Sequence, residues 1–128
     1  MRIDGDDGMG FLVARKAMGE AIKRAATFGI GIAYARRSSH FGMAAIYLQQ
    51  AVDAGMAAIV MTNASPAMPV WGGRAPFLGT SPFGVAAPGV RVPLILDMAT
   101  SVAAPRSGAR ASPRAGRSTP KAGRPPIR

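Results

Sequence analysis

The sequence predicts an α/β fold: a partial mixed sheet with flanking helices, followed by a disordered basic tail. Three observations carry this. Two stretches with apolar residues at helical spacing alternate with short apolar runs of strand length. Such alternation is the pattern of α/β domains, whose crossovers are right-handed. Composition then changes abruptly after Ala104. Residues 1–104 hold nine Lys/Arg and six Asp/Glu, a net of +3, while 105–128 hold seven basic residues and no acid. The formal charge of +10 therefore belongs mainly to the tail and does not by itself mark the body as a nucleic-acid binder.

In chain order, the opening Met-Arg-Ile-Asp-Gly-Asp-Asp is acidic and lacks the apolar stretch of a signal peptide. Phe11 to Ala26 reads as an amphipathic helix. Ala14, Ala17, Met18, Ala21, Ile22 and Ala25 share one face, while Arg15, Lys16, Glu20, Lys23 and Arg24 share the other. Glu20 and Arg24 form a favourable i,i+4 pair, and Gly29 ends the helix. Ile30 to Tyr34 alternates as a short strand. A second helix begins just after His40 and runs to about Asp53, with Ala44, Tyr47, Leu48, Ala51 and Val52 inward and Gly55 as its stop. Met56 to Thr62 is a continuous apolar run, expected of a strand covered on both faces. Asn63 to Pro88 turns to Gly, Pro, Ser and Thr around one Trp and reads as a long functional loop. Val92 to Leu96 is a further buried strand closed by Asp97. The segment 105–128 has five Pro and a single large aliphatic side chain, Ile127. It cannot bury enough apolar surface to offset its conformational entropy, so disorder is expected.

Several function classes fall away on composition. There is no cysteine, which excludes disulfides and thiolate metal sites. One His and six carboxylates argue against a protein-only metal cage. No uninterrupted apolar run approaches the ~20 residues needed to cross a bilayer, so a cytoplasmic protein is expected. The tail's seven cations would allow salt-sensitive binding to phosphates, but no aromatic residue interleaves with them for stacking. Nonspecific nucleic-acid binding is thus the alternative reading.

Three clusters can carry chemistry. The first is Ser38-Ser39-His40-Phe41-Gly42, at a strand-to-helix junction. Histidine exchanges protons near neutral pH, and a helix opening offers free N–H groups to an anion; a structural His is the plainer role. The second is Thr62-Asn63-Ala64-Ser65-Pro66 with Trp71-Gly72-Gly73-Arg74 and Leu78-Gly79-Thr80-Ser81-Pro82. Small hydrogen-bonding residues at a strand's carboxyl end are where α/β proteins place ligands. The alternative is a set of tight turns, with Trp71 as a core plug and Arg74 as a solvated charge. The third is Leu96-Asp97-Met98-Ala99-Thr100-Ser101. Its carboxylate could accept hydrogen bonds from a ribose, or cap a following helix.

Taken in order, these motifs resemble the central part of the malate/L-lactate dehydrogenase family, which includes malate, sulfolactate and ureidoglycolate dehydrogenases and imine reductases of cyclic amino acids. Asp4-Gly5-Asp6-Asp7-Gly8-Met9-Gly10 fits the same register, and the resemblance covers residues 1 to about 104. It implies a fold unlike the Rossmann domain, in keeping with the absence of Gly-x-Gly-x-x-Gly. It also implies hydride transfer between NAD or NADP and a small 2-oxo, 2-hydroxy or 2-imino acid. By this resemblance His40 is the catalytic residue or a cofactor contact. His40, Phe41, Gly42, Met43 and Ala44, with Asp97, Met98 and Ala99, match cofactor-binding stretches. Ala64 and Ser65 fall where substrate or cofactor approaches. No metal is implied, and the intact enzyme would be a homodimer.

The sequence departs from the family at three places. Ser81 stands where Leu-Gly-Thr-Asn-Pro is usual. Family members are considerably longer, so the resemblance implies a fragment lacking part of the substrate site and inactive alone. After Ala104 the family continues with Arg-Gly-Lys and a helix, whereas this chain reads Pro-Arg-Ser-Gly-Ala-Arg. A frameshifted, nonfunctional stretch over 105–128 is the expectation.

Overall fold

A computed structural model describes residues 1–101 of the chain. The elements are β1 (Arg2–Gly8), α1 (Gly10–Phe28), β2 (Tyr34–Ser38), α2 (Ala44–Asp53), β3 (Ala58–Met61), β4 (Pro82–Ala87) and β5 (Leu94–Ala99). The disorder expected of 105–128, like the domain boundary at 104, concerns residues outside this range.

The α/β class holds, with parallel and antiparallel pairing divided between two sheets. β1 and β2 pair in parallel around α1, a βαβ unit, and β3–β4–β5 form an antiparallel sheet. The alternation of helix and strand does not continue into one sheet, because β2 and β3 lie in different ones.

α1 forms because its apolar residues recur every three to four positions. Met18 is buried, with Ala14 and Ile22 packed beside it against Tyr47 and Ala51 of α2. Gly29 closes the helix in the left-handed region (φ 78°), its N–H bonded to the Ala25 carbonyl at 2.8 Å. Glu20 pairs first with Lys23 at 2.9 Å and more distantly with Arg24 at 3.9 Å. The strand expected over Ile30–Tyr34 begins only at Tyr34. Gly31 lies so close to the Ala21 carbonyl of α1 that a Cβ would overlap it. The preceding stretch therefore runs against the helix.

α2 buries the expected face: Ala44, Tyr47, Leu48 and Ala51, with Val52 half-buried. It lies on one face of the three-stranded sheet, against Ala58, Val60, Ala86 and Ile95. Gly84 of β4 sits beneath it, where a Cβ would meet Leu48 Cδ1 at 2.8 Å and Ala44 Cβ at 3.2 Å.

Three expectations change here. β1 falls on the acidic opening, whose composition predicts no strand. β4 lies inside the stretch read as loop, because Pro82 and Gly84 are weak strand formers; Pro82 is tolerated as the first residue and Gly84 is required by the helix above it. The runs at 56–62 and 92–96 are covered on one face instead of two. Ile59, Met61, Leu94, Leu96 and Met98 are all exposed, because α2 covers only the opposite face.

Candidate active site

His40 lies between β2 and α2, as expected, and four contacts fix the turn that carries it. The Ser39 N–H donates to the Gly8 carbonyl at 3.0 Å, and the Gly10 N–H donates to Ser39 Oγ at 3.0 Å. A Cβ on Gly10 would overlap the carbonyl oxygen of Ser39 and stand 2.6 Å from that of His40. The glycine at the head of α1 is thus the floor of the His40 turn. Gly42 adopts φ 80°, which favours glycine, and its N–H donates to His40 Nδ1 at 2.9 Å. With Nδ1 acting as acceptor, the proton of the neutral ring sits on Nε2, and that nitrogen is left to meet a ligand.

Phe41 packs into both core clusters and stacks on Tyr47 at 5.6 Å between ring centres. The Tyr47 hydroxyl donates to the Phe41 carbonyl, and burial pushes that phenol's pKa upward. Met43 is the residue before α2 and is 61% exposed. Ala44, by contrast, is a core residue at 3% exposure, so only its backbone can face a ligand.

Asp97 reaches this turn from β5. Its Oδ2 accepts the Ala45 N–H at 2.9 Å, in the first turn of α2. Its capping role is therefore real, but the helix capped lies 52 residues earlier instead of following it. The other oxygen has no partner among the described residues. Met98 points the other way: it pairs with Phe83 on the sheet face opposite α2, while Asp97 and Ala99 share the α2 face. The structure thus separates Met98's side chain from the rest of the proposed cofactor group.

The second cluster joins the third at the same sheet end. Gly79 lies directly against the Ala64 carbonyl, leaving no room for a Cβ. The Thr100 N–H donates to the Thr80 carbonyl at 3.2 Å, and its hydroxyl reaches the Ser81 carbonyl at 3.3 Å. Ala64 is half-buried and Ser65 exposed; neither hydrogen-bonds to His40. Trp71 is not a core plug. It is fully exposed (103%), beyond a small ladder between Met68 and Leu78, and Arg74 is exposed as expected.

Beside the site, β1 bulges between Asp4 and Gly8, with Asp6 and Asp7 at positive φ. Arg37, itself at φ 51°, pairs with Asp6 at 2.9 Å, Asp7 at 3.2 Å and Asp4 at 3.5 Å. The sequence alone does not announce the roles of Gly10 and Gly84. Gly10 lies within the Asp4–Gly10 motif, but nothing local says what a glycine there makes room for.

A nicotinamide nucleotide fits this donor set at one end. Asp97 offers a carboxylate oxygen to hydroxyl or amide donors, His40 a ring nitrogen, and Met43 an apolar surface. With Asp97 already on the α2 amide, the helix opening is less suited to a phosphate than the sequence suggested.

The comparisons with known proteins identify the family. The sequence profile of the malate/L-lactate dehydrogenase family matches residues 1–123, past the Ala104 limit of the motif resemblance. Malate dehydrogenase of Pyrococcus horikoshii is 44% identical over 100 residues, covering 78% of this chain and 28% of that protein. L-sulfolactate dehydrogenase of Methanocaldococcus jannaschii is 43% identical over 99 residues, covering 77% and 29%. Their solved structures superpose with TM-scores of 0.73 and 0.75, at 48% and 43% identity, over 78% and 80% of this chain and 29% and 30% of theirs. The chain spans under a third of the length of the relatives it matches.

Proposed function

The chain belongs to the malate/L-lactate dehydrogenase family, and on that premise we propose that residues 1–104 are a partial NAD(P)-binding and catalytic domain of a 2-hydroxyacid oxidoreductase. The observation that carries this reading is the bond from Asp97 to the Ala45 amide. It ties the His-Phe-Gly turn to the Leu-Asp-Met-Ala-Thr-Ser strand, two motifs half the chain apart. Malate and sulfolactate, the substrates named for two relatives, are both 2-hydroxy acids. A small 2-oxo/2-hydroxy acid is accordingly the substrate class, with NAD or NADP as cofactor.

When bound, the nicotinamide supplies or takes the hydride. The chain's own residues handle the rest. His40 Nε2–H donates a hydrogen bond to the oxygen on which charge develops, and transferring that proton requires Nδ1 to release the Gly42 N–H and take up a proton of its own, so that a neutral ring remains. Asp97 Oδ1 accepts from a ribose hydroxyl or the carboxamide. Ala64 and Ser65, joined to the site through Gly79, approach the ligand from the neighbouring loop. The remainder of the substrate site belongs to sequence this chain does not match, so turnover by this chain alone is not expected.

Fluorescence titration with NADH and NADPH tests the reading, on the full chain and on a version ending at Ala104. Saturable binding that survives the truncation and weakens about tenfold or more in His40→Ala is expected, tenfold being about 1.4 kcal/mol of contact. A folded chain that binds neither nucleotide would refute it.

A further inference from the structure

One peptide group joins the His40 ring to the core. The carbonyl of the Phe41–Gly42 peptide accepts the Tyr47 hydroxyl, and the N–H of the same peptide donates to His40 Nδ1 at 2.9 Å. The peptide is trans, so its carbonyl and N–H point to opposite sides of one plane. Phenol, peptide and imidazole therefore form a single run of hydrogen bonds. The inner end of that run is fixed. Tyr47 is 3% exposed, in a cluster with Met18 of α1 and Ala51 of α2, against which Ala58 and Val60 of β3 also pack. The outer end faces solvent, because His40 and Gly42 are both exposed.

Gly42 itself offers the peptide little resistance. It sits at φ 80°, with no atom of another segment within 4 Å of where a Cβ would stand, and a glycine allows an adjoining peptide to rotate at little cost. Rotation would turn the N–H away from Nδ1 and the carbonyl toward the ring. That arrangement selects the opposite tautomer, with Nδ1–H donating inward and a bare Nε2 outward. The Tyr47 hydroxyl opposes it, since a rotated carbonyl would leave the phenol proton unpaired in the core. Hydrogen bonds in such a run also polarise one another, so the phenol makes the Gly42 N–H a stronger donor to the ring.

We propose that Tyr47 is the positioning residue of His40. Acting through the Phe41–Gly42 peptide, it fixes the tautomer that carries the proton on Nε2 and presents that N–H to the ligand. The inference rests on the reading of His40 as the group that meets the substrate oxygen. A tyrosine that served packing alone would stabilise the fold and leave the tautomer untouched.

His40 is the one histidine of the 128-residue chain, so its ring nitrogens report without overlap in the full chain. Their nitrogen NMR shifts, read at about pH 8, above the histidine reference value of ~6.5, give the ratio of Nε2–H to Nδ1–H. Tyr47→Phe keeps the ring packed and removes only the donor. The ratio is expected to fall about fivefold, the usual net contribution of one hydrogen bond, and the Gly42 amide to exchange about fivefold faster. Ile22→Val, packed against the same cluster and of comparable cost to the fold, should change neither. A Tyr47→Phe ring that keeps the parent ratio overturns the proposal. So does an Ile22→Val chain that shifts it equally, which would assign the effect to loosening of the core, and so does a parent ring protonated on Nδ1. Where Tyr47→Phe does not fold, 3-fluorotyrosine is incorporated into Tyr34→Phe, in which Tyr47 is the remaining tyrosine. Its more acidic phenol, which burial keeps protonated, donates more strongly, so the Gly42 amide proton should move downfield; an unmoved amide overturns the role. No nucleotide is present in these measurements. A chain that fails to bind NADH therefore leaves this result standing, and an unmoved tautomer leaves the binding result standing.

Discussion

Gly10 lacks a side chain because the Ser39 and His40 carbonyls occupy the space where one would sit. Gly10→Ala is expected to lift the His40 turn from the head of α1 and cost about 2 kcal/mol, the usual range for forcing an extra methyl into a packed site. Denaturant melts would read the loss, and the His40 ring resonances should shift with it. Gly19→Ala, where nothing lies within 4 Å, should not destabilise the chain. Ser81 carries the opposite lesson. It sits at φ 45°, a region asparagine tolerates better than serine. An asparagine at this point, which the motif resemblance implies, would suit this backbone conformation better than serine. Ser81→Asn should stabilise the chain by up to about 1 kcal/mol; no gain in melting temperature would mean that the turn relaxes without strain.

At the scale of elements, α2 is the piece on which both α1 and the three-stranded sheet pack. Leu48 is fully buried between it and the sheet, whereas Leu94 on the outer sheet face is 64% exposed. Leu48→Ala should cost roughly 2–5 kcal/mol, and Leu94→Ala less than 1 kcal/mol in the isolated chain. Equal losses would mean the sheet's outer face is already covered in solution. The β1–β2 pair depends on charge instead. The Asp6 backbone N–H, then the Arg36 guanidinium, hold the Asp4 carboxyl below its usual range. A carboxylate with a lowered folded pKa contributes stability above its unfolded value and loses it as pH falls through the folded one. Acidification below about pH 4 should therefore loosen β1 against β2, seen as faster amide exchange around Ile3 and Ala35. Asp4→Asn should remove that pH dependence. The pair is exposed, so the effect on global stability is small.

At the scale of the whole molecule, two helical faces could be read from the sequence almost residue by residue, because a 3.6-residue period is a local property. So were the stops at Gly29 and Gly55, and the motifs that gather at one end of the fold. Strand limits were less legible. β4 hides behind Pro82 and Gly84, and both apolar runs looked two-sided because a sequence shows that residues are apolar without showing which side is covered. Trp71, apolar in sequence yet fully exposed, is illegible for the same reason. What the sequence alone determined is the helix faces, the α/β class, and the order of motifs that marks the family. Which strands share a sheet, which glycines make room for another segment, and the capping of α2 by a carboxylate 52 residues away were decided only by tertiary structure. Each of these is a contact between distant parts of the chain, and no local period or propensity encodes its partner.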